Sequence, residues 1–168
     1  SRTGRTLTAP NDDSDTPVRF TFVSCQCPNE GALNAYRRMI FEDEARSKDQ
    51  RLNFVLHLGD FIYEVTWYAE DNPNGNRGRS IKNLYKFPQG RKVGNFHLPV
   101  TLEDYRTLYR AYLEDPDLQD ARARWPFVCV WDNHEFAWAG YQSQYVAGGA
   151  YNAPAQNQKV FANQAWWE

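Results

Sequence analysis

Three short apolar segments, each followed directly by polar and reactive residues, constrain the fold of this chain more than any other feature. They are Val18–Val23, Leu52–Leu58 and Phe127–Trp131. The first alternates apolar and polar residues and the second is almost continuously apolar, and both patterns predict β-strands. A continuous apolar run further predicts a strand that is covered on both faces of its sheet.

Segments with helical periodicity separate these predicted strands. Thr101 is a suitable N-cap for one of the helices, with Glu103 and Asp104 in its first turn. Strands that alternate with helices predict an α/β domain with a largely parallel central sheet. The expected helices run from about Gly31 to Arg46, from Thr101 to Glu114, from Asp117 to Arg124, and from about Gln156 onward.

Two segments fall outside this alternation. Residues 1–17 are polar, with Pro10 and Pro17 on either side of an acidic run, and they predict a linker. Residues from about Ala69 to Pro99 show no clean period and contain Gly, Asn and Pro repeatedly. A loop of that length inside a compact domain is usually functional or disordered.

The composition excludes several classes of protein. The 168 residues suffice for about one domain, and 19 basic against 21 acidic residues give a formal net charge of −2. A general nucleic-acid-binding protein is normally basic, and the sequence has no dedicated nucleic-acid-binding motif. No segment approaches the roughly 20 apolar residues that a membrane helix needs. The three Cys residues are an odd number, so they cannot form a complete disulfide framework within the chain.

The reactive residue types lie at the ends of the predicted strands. Cys25 follows the first strand, Asp60 follows the second, and the Asp132-Asn133-His134 run follows the third. In a parallel α/β sheet the carboxyl ends of the strands lie along one edge, and ligands bind there. We therefore expect thiol, carboxylate, amide and imidazole groups to converge. Such a set of side chains indicates a metal site.

The segment from Gly59 to Tyr63 is suited to binding cations. Glycine allows a tight turn after the strand, and the two carboxylate oxygens of Asp60 can bridge two ions. Tyr63, three residues later, can reach the same point. Because phenols have a pKa of about 10, only a strongly Lewis-acidic ion such as ferric iron deprotonates one readily at neutral pH.

Asn133 and His134 add the groups that phosphate chemistry needs. Asn133 offers a neutral amide oxygen, which suits a hard divalent cation. His134 is suited to donate a hydrogen bond to a phosphoryl oxygen or to protonate a leaving alcohol. Two cations a few ångströms apart would hold a phosphate and activate a water for in-line attack. This combination predicts phosphoester hydrolysis.

Neighbouring residues have simpler interpretations. Asp132 is either a ligand or a residue that supports the turn and its ligands. His57 lies inside the second predicted strand, which favours a structural or supporting role over ligation. Cys27 and Cys129 are expected to be packed small residues, since this is the commonest role of an unpaired cysteine.

A basic segment lies in the long predicted loop. It contains six cations and no acidic residue between positions 77 and 92. Such a segment on an acidic body is suited to steering an anionic phosphoester, and the alternative is an ordinary solvated loop. The cations are Arg77, Arg79, Lys82, Lys86, Arg91 and Lys92.

Several of these motifs resemble those of the PhoD-type alkaline phosphatases. That family is similar to the calcineurin-like metallophosphoesterases and purple acid phosphatases. The resemblance therefore implies a β-sandwich flanked by helices, incomplete in this chain, with the N-terminal half of the catalytic domain at residues 18–168. The resemblance is carried, in the family's order, by Phe22–Gln26, His57–Glu64, Leu102–Arg106, Asp115–Gln119 and Trp125–Glu135.

The resemblance also implies a role for each candidate residue. Cys25 would bind iron, Asp60 would bridge the ions, Tyr63 would bind the ferric ion, Asn133 would bind the divalent ion, and His134 would assist phosphoryl transfer. Calcium is the divalent ion that the family suggests, with Mn²⁺ or Zn²⁺ as alternatives. Many members have an Asp where this chain has Asn133, so we expect a shift in metal preference.

The same resemblance implies that further parts of the domain lie outside this chain. The family's later His and Asp ligands are not present, and residues 4–10 resemble the end of a preceding β domain. The expected function is hydrolysis of phosphate monoesters or diesters by a secreted or periplasmic enzyme. The alternatives are a nuclease or nucleotide phosphodiesterase on the same centre, and a binding module without catalytic activity.

Overall fold

A computed structural model describes residues 3–75, 78–136 and 153–168. Within these ranges the chain forms a mixed α/β fold with a parallel sheet, as predicted. A second, two-stranded sheet and four α-helices complete it. The elements are β1 (Phe20–Val23), α1 (Asn34–Glu44), β2 (Phe54–His57), β3 (Arg91–Val93), β4 (Phe96–Leu98), α2 (Leu102–Leu113), α3 (Pro116–Arg124), β5 (Phe127–Cys129) and α4 (Ala153–Trp167).

The central sheet has the order β1-β2-β5, and all of its neighbours are parallel. Each strand is two to three residues shorter than the sequence predicted, although single backbone hydrogen bonds such as that from Leu58 to Val23 continue beyond the strand ends. The predicted α-helices are all present, with ends that differ by a few residues. Thr101 caps α2 as expected, and its hydroxyl accepts a hydrogen bond from the backbone N–H of Asp104.

The two faces of the central sheet have different surroundings. Val55 and His57 on β2 are fully buried against the helices. On the other face Phe22, Leu56 and Val128 form one row across the sheet, and Phe22 is 67% exposed. Cover on both faces, which the apolar run of β2 predicted, is therefore not found among the described residues.

The hydrophobic core lies between the covered face of the sheet and the helices. It is rich in aromatic side chains, and α2 supplies the largest share. Fully buried Tyr and Leu side chains of this kind each contribute about 1.5–3 kcal/mol relative to exposure. The most deeply buried members are Val55, Ile62, Tyr105, Leu108, Tyr112, Leu118, Ala121 and Ala162.

The long segment after β2 differs most from its prediction as an irregular loop. Residues 66–99, called the arm below, contain the antiparallel hairpin β3–β4. Gly94-Asn95 forms its two-residue turn, and Gly94 has the positive φ of 60° that such turns favour. Thr66 and His97 form a bridge that closes the base of the arm.

Candidate metal centre

The loops that follow β1 and β2 are joined beyond the ends of the strands. The backbone N–H of Cys25 donates to the carbonyl of Gly59 at 3.3 Å, and that of Gln26 donates to the carbonyl of Asp60 at 3.2 Å. Cys25 and Asp60 have positive φ angles of 57° and 52°. Non-glycine residues seldom adopt this conformation, and where they do the surrounding structure holds them in it, often at functional sites.

Asp60 is the centre of the side-chain cluster. Its Oδ2 atom accepts the thiol of Cys25 and the hydroxyl of Tyr63, each at 3.3 Å. Its Oδ1 atom accepts the backbone N–H of His134 at 3.3 Å. The two oxygens of one buried carboxylate therefore face two groups of residues, which is the arrangement that a bridging ligand needs.

The side chains around Asp60 Oδ2 fit a Lewis-acidic ion such as ferric iron. Burial, together with Cys25 and Asp60, raises the pKa of Tyr63 far above its ordinary value, so the phenol keeps its proton when no cation is present. The Cys25 thiol and the Tyr63 phenol both donate a hydrogen bond to Oδ2 of Asp60. Among the described residues no three His, Cys, Asp or Glu side chains could hold a metal ion by themselves.

The loop after β5 approaches Asp60 from the other side. Asn133, His134 and Glu135 form one turn of 3-10 helix, which Asp132 caps by accepting the backbone N–H of Asn133 at 2.8 Å. Asp132 thus supports the turn, which is one of the two roles that the sequence left open. Asn133 is half-buried. The next residue, His134, donates its backbone N–H to Asp60 Oδ1, so the backbone of Asn133 also lies beside that oxygen.

His134 is held in place by three contacts. Its backbone binds Asp60, its ring lies 4.2 Å from the ring of Tyr63, and its Nδ1 atom is 2.6 Å from Oε2 of Glu64. Burial by itself lowers the pKa of His134, but the hydrogen bond to Glu64 and the negative charges nearby outweigh burial and raise it. The imidazole therefore retains a proton more readily than a free histidine.

Glu135 is a functional residue to which the sequence gave no role. Its buried carboxylate accepts backbone N–H groups from both loops, with Oε2 bound to Asp60 at 3.0 Å and Asp132 at 2.6 Å. Oε1 accepts those of Phe61 at 2.5 Å and Ile62 at 3.4 Å. One side chain thus fixes the loop of Asp60 against the loop of Asn133. Its signal in the sequence is the capping-box spacing, in which Glu135 follows the N-cap Asp132 by three residues.

Comparisons with known proteins identify the family of this chain. The family model of the PhoD-like phosphatases matches residues 20–168. The chain belongs to the PhoD-like phosphatase family. It is also 32% identical over 136 residues to alkaline phosphatase D of Bacillus subtilis (strain 168), an alignment that covers 80% of this chain and 20% of that protein. A solved structure of PhoD matches with a TM-score of 0.70 and 29% identity, over 98% of this chain and 27% of that one.

This PhoD-like chain therefore spans about a fifth to a quarter of the length of the relatives it matches. The comparisons show the family and the fold. Metal ligation by Cys25, Asp60, Tyr63 and Asn133 therefore stays a prediction.

His57, Cys27 and Cys129 make no hydrogen bond to Asp60 among the described residues. His57 points into the core, 5.0 Å from the ring of Phe61, and neither of its ring nitrogens has a hydrogen-bond partner among the described residues. Burial lowers its pKa to about 4, so it is neutral at physiological pH. Cys27 and Cys129 are free thiols in half-buried positions, as is typical of packed cysteines.

The predicted steering cations have different surroundings. Arg77 lies outside the described residues. Arg79, Lys82 and Arg91 are exposed, whereas Lys92 forms an ion pair with Asp71. The backbone of Lys82 is hydrogen-bonded to the loop that follows Cys25. Its N–H donates to the carbonyl of Asn29, and its carbonyl accepts the side-chain amide of Asn29, four residues after Cys25.

Proposed function

We propose that the protein containing this chain hydrolyses phosphoesters at a centre of one ferric and one divalent ion. The observation that carries the proposal is the convergence of a thiol and a phenol on one oxygen of Asp60, with the His134 loop on the other oxygen. Membership of the PhoD-like phosphatase family supports the reaction type.

Four residues of this chain would hold the ions. Cys25, Tyr63 and Asp60 Oδ2 fit the ferric ion, since thiolate and phenolate suit a strongly Lewis-acidic cation. Asp60 Oδ1 and the amide of Asn133 fit the divalent ion, for which Ca²⁺ is the first choice and Mn²⁺ or Zn²⁺ are alternatives. When bound, the ions would neutralise phosphoryl charge and activate the attacking water.

His134 supplies the proton that the reaction needs. As a water oxygen bonds to phosphorus, the bond between phosphorus and the ester oxygen breaks, and its electron pair stays on that oxygen. A proton from His134 Nε2 neutralises the leaving alkoxide, and a proton of the water passes to solvent. The contact with Glu64 raises the pKa of His134 and so favours the protonated imidazole that this step uses.

The substrates are proposed to be phosphate monoesters, diesters or both. The name alkaline phosphatase on the Bacillus subtilis relative supports monoesters. One observation favours the alternative of a nuclease or nucleotide phosphodiesterase, because the arm brings the exposed Lys82 beside the loop of Cys25. A cation in that place suits the second phosphate or the backbone charge of a longer substrate.

Phosphate release from an aryl monoester and an aryl diester by the full-length protein, supplied with iron and calcium, tests this function. We expect turnover on at least one ester, and an Asp60→Asn variant should lose about a hundredfold or more because both ions depend on that carboxylate. Binding of phosphate without turnover would identify the silent binding module instead.

Residues 1–168 by themselves are expected to be almost inactive. The exposed apolar row of Phe22, Leu56 and Val128 is proposed to pack against the rest of the domain, which would also supply the remaining ligands. Purified residues 1–168 and the full-length protein can be assayed side by side. Turnover by the shorter chain within about tenfold of the longer one would contradict the claim that ligands are missing.

We further propose that the protein acts outside the cytoplasm, as the resemblance implies. The described part of the chain contains no helix with the length and apolarity to cross a membrane. Fractionation of cells that produce the full-length protein tests this location, and activity confined to the cytoplasm would contradict it.

A further inference from the structure

Tyr112, on α2, contacts two of the loops that carry the proposed ligands. Its hydroxyl oxygen accepts the backbone N–H of Tyr63 at 3.1 Å, and the same hydroxyl donates to Sγ of Cys27 at 3.9 Å. Cys27 lies two residues after Cys25. Tyr112 is fully buried, although it is 49 positions from Tyr63 and 85 positions from Cys27 along the chain. One hydroxyl group thus joins both loops to α2.

Packing alone does not explain a hydroxyl group in this place. A phenylalanine ring would fill the same part of the core, whereas a buried hydroxyl is unfavourable unless it forms hydrogen bonds. The hydrogen bonds that the Tyr112 hydroxyl forms within the described residues both go to these two loops. The group is therefore suited to fixing the position of the loops.

The backbone of Tyr63 is held by this contact. Glu135 accepts the backbone N–H groups of the three preceding residues, 60–62. That series ends there, and the next N–H, which belongs to Tyr63, is accepted by Tyr112. The phenol of Tyr63 therefore reaches Oδ2 of Asp60 from a backbone position that α2 fixes.

We propose that Tyr112 is a positioning residue, which holds Tyr63 and the loop of Cys25 where the phenol and the thiol meet at Oδ2 of Asp60. The inference rests on the proposed function and adds to it a residue outside the ligand set that fixes the geometry of the iron site. Removal of a partner that orients metal ligands typically weakens metal binding by about 10- to 100-fold.

The test compares Tyr112→Phe with the parent full-length protein after both are loaded with iron. We expect the dissociation constant for ferric ion, measured by competition with a chelator, to rise about tenfold. The visible band of the ferric phenolate should also shift, because the orientation of the Tyr63 phenol changes. An unchanged dissociation constant together with an unchanged band would overturn the proposal.

Tyr68→Phe is the matched control. Tyr68 lies in the arm, and its buried hydroxyl also accepts a backbone N–H, that of Phe87 at 2.8 Å. Both variants lose the same group and the same kind of hydrogen bond, so the melting temperature should fall in both. Only Tyr112→Phe should change iron binding and the visible band. Equal changes in iron binding from the two variants would indicate a general loss of stability and would overturn the proposal.

A double variant shows whether Tyr112 acts through Tyr63. In protein that already carries Tyr63→Phe, the position of the ring at residue 63 no longer affects ligation. Tyr112→Phe should then weaken iron binding by less than about threefold, because only the contact with Cys27 remains to be lost. A loss as large as that in the parent protein would mean that Tyr112 acts on the fold and not on the ligand, which would contradict the proposal.

Hydrogen exchange in the metal-free protein supplies a readout that needs neither iron nor turnover. The amide of Tyr63 should exchange slowly in the parent protein and at least about tenfold faster in Tyr112→Phe. Fast exchange of this amide in the parent protein would overturn the proposal even if Tyr112→Phe failed to fold. If the amide is protected but the parent protein binds no iron, the proposed function fails while the placement of Tyr63 by Tyr112 stands.

Discussion

The loop of Asp60 and the arm follow one another in the chain but are held by different kinds of contact. Residues 59–65, here the Asp60 loop, are bound by the buried carboxylates of Glu64 and Glu135. The outer part of the arm is bound by ion pairs at the surface, Glu70 with Lys86 and Asp71 with Lys92. Buried, hydrogen-bonded charges fix geometry, whereas exposed pairs contribute little to stability.

The arm contacts the rest of the described structure at several points, including Lys82, whose backbone N–H donates to the carbonyl of Asn29 at 2.9 Å, and the buried Tyr85 and Phe87. The backbones of Thr66 and His97 exchange hydrogen bonds of 2.9 and 2.8 Å. The buried Asp104 on α2 accepts the backbone N–H of Gln89 at 2.8 Å. The Asp60 loop is therefore held in one geometry by buried charges, whereas the exposed charged pairs of the arm can vary at little cost.

The largest expected effect on stability is that of Glu135→Gln. The amide retains one acceptor but directs its N–H₂ group at backbone N–H donors, so we expect the free energy of unfolding to fall by about 3 kcal/mol. Denaturant unfolding measures this loss. Glu103→Gln, at a half-exposed acid that pairs with Arg110, should cost less than about 1 kcal/mol. Similar losses of unfolding free energy in the two variants would contradict the expectation that buried charges contribute more to stability than surface charges.

Gly59→Ala should have the next largest effect. Gly59 has a φ of 95°, and a Cβ atom there would lie 2.5 Å from Cβ and 2.6 Å from the backbone nitrogen of Asp132. We expect a loss of about 2 kcal/mol and reduced metal binding, because the Asp60 loop must move away from the loop of Asn133.

Gly94→Ala is the matched change in the arm. Its φ is 60°, but an added Cβ atom would meet nothing within 4 Å. The expected cost is about 1 kcal/mol of backbone strain with metal binding unchanged. Loss of metal from the Gly94 variant but not from the Gly59 variant would contradict the claim that metal binding depends on the Asp60 loop and not on the arm.

Tyr63→Phe should change stability by about 1 kcal/mol or less, because it removes one hydrogen bond of 3.3 Å. Its main effect is spectroscopic, since a ferric phenolate absorbs visible light and the variant should lose that band. Tyr109→Phe is the control, because the hydroxyl of Tyr109 is buried without a hydrogen-bond partner among the described residues. A spectrum unaffected by Tyr63→Phe would remove Tyr63 from the proposed ligands.

The smallest effect is expected in the arm. Lys92 is half-exposed, so the coupling free energy between Lys92→Ala and Asp71→Asn in a double-mutant cycle should be below about 1 kcal/mol and should fall as salt is added. A coupling of about 3 kcal/mol would show that the arm is held as firmly as the Asp60 loop.

The sequence predicted those parts of the structure that depend on local patterns. The parallel strands, the cap at Thr101 and the meeting of Cys25 with Asp60 follow from periodicity and from the rule that strand ends share one edge. The hairpin of the arm was missed although Gly94-Asn95 is a typical two-residue turn. Its short strands carry few of the β-branched residues on which the prediction relied.

The contacts of Glu64 and Glu135 could not be predicted in the same way. The bonds that fix the Asp60 loop join residues 70 to 75 positions apart, and the capping-box spacing of Glu135 with Asp132 predicts only its local bond. The burial of Asp43 at the charged end of α1 was missed for the same reason. Periodicity predicts which face of an element is apolar, but not which acid a second loop will bury.

Elemental analysis of the full-length protein tests the central claim most directly. We predict about one iron per chain together with a divalent ion, a marked loss of iron in Cys25→Ser, and no loss in Cys27→Ser, whose thiol lies 3.9 Å from the hydroxyl of Tyr112. A colourless protein without iron, which iron salts do not convert to a coloured form, would contradict the assignment of Cys25, Asp60 and Tyr63 to a metal centre.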